Sequence, residues 1–381
     1  MNLSLHELHR ALGARFAELD GAEIAADYGD WLAEHAALRE SAGVTDLSFR
    51  SRICLTGADR VRFLHGQVTN DVKKLRAGEG CCAAITTAKG KMESDLNIFN
   101  LSDELLLDFE PGLTQKISAR LEKFIVADDV QIVDAAPHYG LLSVQGPEAP
   151  EVVRALNLFP EIPTQQLGSL KISDATLGEI YLASHSRLGL RRHVAALESA
   201  DMSAHSTFAG GFDLFVPNNS LGAVADKLIF AAKQIGGRAA GWTAFETARI
   251  EAGIPRFGAD MDETNIPLEC GIESRAVSYN KGCYIGQEVI NRIHSIGHVN
   301  RELRALRLAT DLKILPARGD KLFFNGKEIG HVTSAVKSPT LDANIALGYV
   351  RREANQIGNE LTLRTAAGES LAKIVELPFV K

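Results

Sequence analysis

Lys281, Cys283, Tyr284 and Glu288 place an ammonium, a thiol, a phenol and a carboxylate within one eight-residue segment, Lys281-Gly282-Cys283-Tyr284-Ile285-Gly286-Gln287-Glu288. Gly282 and Gly286 open backbone angles closed to other residues, and with them tight turns and close approach of a ligand to the main chain. If the chain is extended around Gly282, Lys281 and Cys283 fall on the same side, because strand side chains alternate. An ammonium beside a thiol favours the thiolate, the reactive form of cysteine. Lys281 and Cys283 are therefore candidate catalytic residues, and Tyr284 a candidate for stacking on a flat ligand. The competing reading is a turn in which a small thiol and an aromatic ring simply pack inward. The polar run that follows, with Glu288, Asn291, Arg292, His294, His298, Asn300 and Arg301, weighs toward a site.

These groups need a scaffold larger than one core. At 381 residues the chain has the length of two or three domains, and its 45% hydrophobic and 23% charged residues are those of a globular protein. No apolar run approaches the ~18 residues of a membrane span. Residues 1–15 carry Glu7, Arg10 and Arg15 and no apolar stretch followed by small residues, so neither export nor organelle import is expected. The five cysteines, at 54, 81, 82, 270 and 283, form no C-x-x-C pair; no metal site is expected, and free thiols fit a reducing cytoplasm. A net charge of −7 disfavours a generic nucleic-acid binder, so no nucleic-acid partner is expected, and without a spanning run no membrane partner is expected either.

The elements that position the groups read as follows. Asp30 caps a helix through Trp31, Leu32, Ala36 and Leu38, with Gly43 as its stop, and the first fifty residues read as helical. Residues 51–136 read as strand, helix, strands, helix, strand, with a turn at Gly57 and a helix from Leu113 to Phe124 after Pro111. Residues 139–240 echo this order: 141–149 repeats the strand–glycine–helix start of 53–61, and 212–232 repeats the strand–helix pattern of 105–124. Two related α+β halves are expected, with a pocket between equivalent sheets. Residues 300–381 change to short strands with turn signals, among them the hairpin turn Asn325-Gly326, and predict a small antiparallel barrel.

The segment 281–288 resembles the Lys-Gly-Cys-Tyr-x-Gly-Gln-Glu signature of the YgfZ-type folate-binding proteins, relatives of the aminomethyltransferase (T-protein) of the glycine cleavage system. The resemblance extends over Phe63 to Asp71, Thr86 to Asp95, Ala127 to Val130 and Arg249 to Gly258, and departs at Ile296, where an arginine is expected before Gly297. It implies an α+β fold in which two related folate-binding α+β domains and a C-terminal β-barrel surround a central cavity. The implied division is a helical segment at 1–50, α+β domains at 51–138 and 139–299, and the barrel at 300–381.

Tetrahydrofolate, or a one-carbon derivative of it, is the cofactor the resemblance implies. A reduced pterin presents adjacent N–H and amino donors that a carboxylate accepts as a pair. Glu251, in Arg249-Ile250-Glu251-Ala252-Gly253, is the candidate for that contact, with Arg249 beside it. Gln67 and Asn70 are candidate lining residues, and Arg256 a counter-ion for the glutamate tail. Asp95 corresponds to a carboxylate that serves catalysis in the T-protein. Where the T-protein carries paired aspartates this chain keeps only the second, with Ser94 at the first, which weighs against aminomethyl transfer. The implied function is tetrahydrofolate binding in support of iron–sulfur cluster assembly or repair, through Lys281 and Cys283, with iron–sulfur client or assembly proteins as partners. One alternative is an aminomethyltransferase moving a one-carbon unit from a lipoyl-bound aminomethyl group to tetrahydrofolate. A folate-dependent tRNA modification factor is the other.

Overall fold

The computed structural model describes residues 3–189 and 210–380 and opens with helix α1 (His6–Ala11), a hairpin of β1 (Arg15–Leu19) and β2 (Ala22–Asp27), and helix α2 (Trp31–Glu40). Asp30 starts α2 as expected, its Oδ1 accepting from the Ala33 N–H at 3.0 Å. The hairpin departs from the all-helical reading of this segment. Asp20 and Gly21 both sit at positive φ (50° and 80°), the geometry that reverses a chain in two residues.

A short strand β3 (Gly43–Asp46) leads into the first α+β unit: β4 (Ser51–Thr56), α3 (Arg60–Gln67), β5 (Gly80–Thr86), β6 (Met92–Asn100), β7 (Leu105–Phe109), α4 (Thr114–Glu122) and β8 (Gln131–Asp134). Its sheet runs β5-β6-β7-β4-β8. The second unit comprises β9 (Tyr139–Gln145), α5 (Ala149–Arg154), β10 (Ser169–Asp174), β11 (Gly178–Ser184), β12 (Gly211–Pro217), α6 (Leu221–Gln234) and β13 (Arg238–Ala239), in a sheet ordered β10-β11-β12-β9-β3-β13. The strands β5-β6-β7-β4 and β10-β11-β12-β9 follow the same path, so the echo read in the sequence is an echo of topology. Gly57 and Gly146 (φ 96° and 131°) turn β4 and β9 toward their helices. A Cβ at these positions would stand 2.2 Å from the Asp129 carbonyl oxygen and 2.4 Å from that of Ser41, which only glycine avoids.

Alternation along β6 decides what the two units present to each other. Leu96 and Ile98 pack with Ile53, Leu64 and Leu107 inside the first unit, while Asp95 and Asn97 face the second. A shared apolar layer of Leu38, Leu47, Phe99, Leu141 and Phe215 joins the sheets and is extended by Phe245 of helix α7 (Trp242–Glu251).

Helices α8 (Glu273–Ala276) and α9 (Gln287–Ile296) lead to the barrel strands β14 (Arg301–Leu308), β15 (Lys321–Phe324), β16 (Lys327–Ser338), β17 (Ala343–Arg351), β18 (Glu360–Thr365) and β19 (Gly368–Val375). The barrel closes in the order β14-β17-β16-β15-β18-β19 around Leu306, Leu322, Val332, Leu361 and Ile374. Asn325 and Gly326 make its hairpin turn with φ of 50° and 77°, as predicted. The fold is thus two α+β domains and a closed six-stranded antiparallel barrel. Among the described residues, no helix is long and apolar enough to cross a membrane.

Candidate functional site

A cavity of about 200 Å³ lies between the two sheets, flanked by α7. A lattice of buried ion pairs frames it. Arg50, between β3 and β4, donates through Nε to Asp108 Oδ1 (2.8 Å) and through Nη1 to Glu110. Arg187, just after β11, spans the cleft between Asp108 Oδ2 (2.9 Å) and Asp213 Oδ2 (2.9 Å). Arg256 donates to Glu110 Oε2 at 3.0 Å and lies 5.4 Å from the Trp242 ring centre. Burial opposes ionisation of Asp108, but Arg50 and Arg187 outweigh it and hold the carboxyl well below the usual carboxylate range.

Asp95 stands apart from this lattice. Among the described residues, no other side chain donates a hydrogen bond to its carboxylate. Burial and the neighbouring Glu110 push it up to about 6, against the pull of Arg275 and Arg50. An unpaired carboxyl with a pKa close to working pH, in a cleft, has the properties of a proton-transfer group. Ser94 is fully buried on the opposite face of β6. The position of the missing first aspartate therefore points into the domain core, and its loss removes no carboxylate from the cavity. Arg275, at the end of α8, is exposed where it lines the cavity and has no carboxylate partner among the described residues.

Of the residues singled out in the sequence, Asp95, Arg249 and Arg256 line this cavity. Arg249 is spent on Asp260, Glu246, the Ser334 hydroxyl (3.0 Å) and the Ile254 carbonyl (3.1 Å). Glu251 does not line the cavity. Its fully buried carboxylate accepts from His35 Nε2 (2.9 Å), Ser338 Oγ and Thr340 Oγ1 (3.2 Å), tying α7 to α2 and the barrel. The pterin contact expected of Glu251 is corrected accordingly: its acceptor oxygens are used within the protein. Glu251→Gln is expected to lower stability by about 1–3 kcal/mol in a urea melt while leaving tetrahydrofolate affinity by calorimetry unchanged; selective loss of affinity would return the residue to the site.

The motif at 281–288 also lies away from the cavity. Lys281 is buried, and its Nζ donates to the carbonyl oxygens of His65, Val68 (2.6 Å) and Asn70 (2.9 Å), using all three N–H bonds. Burial lowers its pKa to about 8. Cys283 is exposed, and the local backbone is irregular rather than a strand. The shared side expected for Lys281 and Cys283 is therefore corrected, and the ammonium serves as a clamp on the 65–70 turn. Tyr284 packs beside Val277 and Ile290, 4.8 Å from the Lys281 Nζ by ring centre, and is used in a small core rather than as a stacking platform. Gln67 accepts from Arg120 at 2.7 Å. Asn70 donates to the Cys82 carbonyl (2.7 Å) and the Arg275 carbonyl (3.1 Å), so it supports the cavity by holding the main chain of a lining residue. The side chain of Ile296 lies outside the described residues.

Sequence reasoning missed Arg50, Glu110, His185, Arg187, Trp242 and Arg275 as lining residues. His185-Ser186-Arg187, a polar triplet directly after β11 with its apolar residues 180 to 183, carries a usable signal. Glu110 and Arg275 carried none, because only the tertiary fold brings them beside Asp95. A second cavity of about 210 Å³, lined by Cys54, Tyr139, Tyr181 and Phe215, holds one carboxylate, Glu104, which accepts from the Tyr181 hydroxyl at 3.4 Å.

The GCVT N-terminal domain matches residues 5–189 and 202–281, and the glycine cleavage T-protein C-terminal barrel domain matches residues 301–381. An aminomethyltransferase of Halalkalibacterium halodurans is 28% identical over 378 residues, covering 99% of this chain and 97% of the relative. One from Rubrobacter xylanophilus is 29% identical over 377 residues, covering 99% and 93%. The crystal structure of glycine cleavage system aminomethyltransferase T from Bartonella henselae superposes with a TM-score of 0.86 at 24% identity, covering 100% of this chain and 98% of that one, a likeness of fold. These full-length likenesses overturn the iron–sulfur assembly reading, together with the iron–sulfur partners it implied, in favour of the aminomethyltransferase alternative.

Proposed function

The chain belongs to the GCVT family, through both its N-terminal domain and its T-protein barrel domain, and on that premise we propose that it transfers a one-carbon unit from an aminomethyl group on the sulfur of a lipoyl arm to tetrahydrofolate. The observation that carries this reading is Asp95, an unpaired carboxyl at about 6 in the central cavity. Its surroundings suit a reduced folate. Trp242 and Phe245, whose rings stack with centres 5.5 Å apart, line the cavity with aromatic surface. The carboxylate of Asp95 accepts N–H donors, and the unpaired guanidinium of Arg275 suits the anionic tail. Bound there, tetrahydrofolate supplies two nucleophilic nitrogens for the carbon.

Asp95 is mostly ionised at pH 7.5 and accepts a proton at its carboxylate. The Arg50–Asp108–Arg187 lattice holds both walls fixed, so charge that develops during transfer meets dipoles already in place. The partner is a lipoylated carrier protein presenting the aminomethyl group. Within the family, residues 281–288 follow the YgfZ-type motif, and we place the chain in that branch on those residues. The motif contributes the Lys281 clamp. Incubation with an aminomethylated lipoyl carrier and tetrahydrofolate is expected to yield methylenetetrahydrofolate and ammonia. Formation of neither at saturating substrates would reject the reading.

A further inference from the structure

We propose that His185 is a second proton-transfer group of the central cavity, held by Asp213 and sharing the cavity walls with Asp95; the inference rests on the aminomethyl-transfer reading. His185 follows β11 and lines the cavity, with only 7% of its surface exposed. Its Nδ1 lies 2.7 Å from Oδ2 of Asp213 on β12. Burial opposes ionisation of Asp213, but Arg187 and His185 hold its carboxyl low. A carboxylate only accepts, so Nδ1 carries the hydrogen and the ring's lone pair resides on Nε2. That nitrogen has no hydrogen-bond partner among the described residues.

The groups around the ring favour its neutral form. Burial and Arg187 lower its pKa, against Asp213 and, from β7, Asp108. Phe99 of β6 covers one side, with ring centres 6.5 Å apart. Asp–His pairing of this kind orients an imidazole for proton transfer wherever it recurs.

Proton accounting calls for a second carrier. Over the whole transfer, the C–S and C–N bonds of the aminomethyl group break, and two C–N bonds form to the acceptor nitrogens. Each acceptor nitrogen loses one proton; one ends on the lipoyl sulfur and one on the amine, which leaves as ammonia. Two protons move, and Asp95 carries one. Glu110 is committed to Arg50 and Arg256, and the Cys82 thiol donates to Asn97 Oδ1 at 3.3 Å and is raised by burial. His185 is the lining base whose acceptor atom is uncommitted among the described residues.

His185→Asn keeps an N–H donor near Asp213 and removes Nε2. In the full chain it is expected to lower kcat at least about 10²-fold with little change in KM for tetrahydrofolate, and added imidazole is expected to restore part of the rate. In long-range proton–nitrogen NMR of histidine-labelled protein, the His185 Nε2 resonance, assigned by its loss in the variant, is expected to report a neutral ring and to shift on tetrahydrofolate addition. An unchanged kcat in the variant, or a resonance unmoved at saturating tetrahydrofolate, would overturn the proposal. Absence of transfer by the wild-type protein would reject the aminomethyl reading. The resonance would then decide alone: a shift keeps His185 as the proton acceptor facing folate, and a static signal removes it.

Discussion

Asp95→Asn is expected to lower kcat for aminomethyl transfer by about 10²–10⁴-fold, the range for loss of a positioned acid–base group, while raising the melting temperature at pH 7.5. The two effects share one cause. Burial and Glu110 raise the carboxyl to about 6 in the folded protein, above its ordinary value, so folding disfavours its ionised form. Its contribution to stability is full below the unfolded carboxyl pKa and is lost as pH rises through about 6. At pH 7.5 wild type therefore carries a cost of about 1–3 kcal/mol that asparagine does not. Melting curves of the two proteins should separate at pH 7.5 and converge as pH falls below the unfolded carboxyl pKa. Equal kcat values would place Asp95 outside the reaction. A lower melting temperature for the variant at pH 7.5 would mean that the carboxylate is a structural acceptor.

Asp108→Ala is expected to cost about 3–5 kcal/mol of stability, the range for stripping one partner from a buried ion pair. Asp108 is fully buried and accepts from Arg50, Arg187 and Asn97 Nδ2 (3.1 Å). Arg187 belongs structurally to the second unit and Arg50 to the segment entering the first, so one carboxylate fastens the domains across the cavity. Its removal leaves Arg50 with Glu110, which Arg256 shares, and Arg187 with Asp213, so buried guanidinium N–H groups of both arginines lose their acceptor. Chemical denaturation at pH 7.5 checks this. A cost below about 1 kcal/mol, typical of exposed pairs, would show that the lattice is solvated in solution. Because Arg50 and Arg187 depress the Asp108 pKa, its stabilisation is present above the unfolded carboxyl pKa and is lost only as pH falls through the lower folded value.

The contrast between these carboxylates shows what local pattern can and cannot reveal. Strand–glycine–helix signals at Gly57 and Gly146, and Asn325-Gly326 in the barrel, are local steric facts, and the architecture follows from them. Asp95 was legible because its neighbours resemble a known segment. Ser94 carries no weight against transfer, because period-two alternation on β6 sends adjacent residues to opposite faces. The cluster at 281–288 stands out by composition, yet Lys281 is consumed by three backbone carbonyls contributed by residues 65–70. Glu251 sits in a segment that resembles a ligand-binding one, but its partners His35, Ser338 and Thr340 are far away in sequence. The cavity lattice joins residues from five separate stretches, and no periodicity within one stretch encodes such a meeting.

A crystal structure of the full chain with tetrahydrofolate bound tests the proposed site most directly. The pterin is expected between the two sheets, beside Trp242, with a folate nitrogen in hydrogen-bond reach of Asp95 and the tail carboxylates toward Arg275. Pterin seated instead in the cavity lined by Tyr139, Tyr181 and Phe215, or at the surface around Cys283, would contradict it.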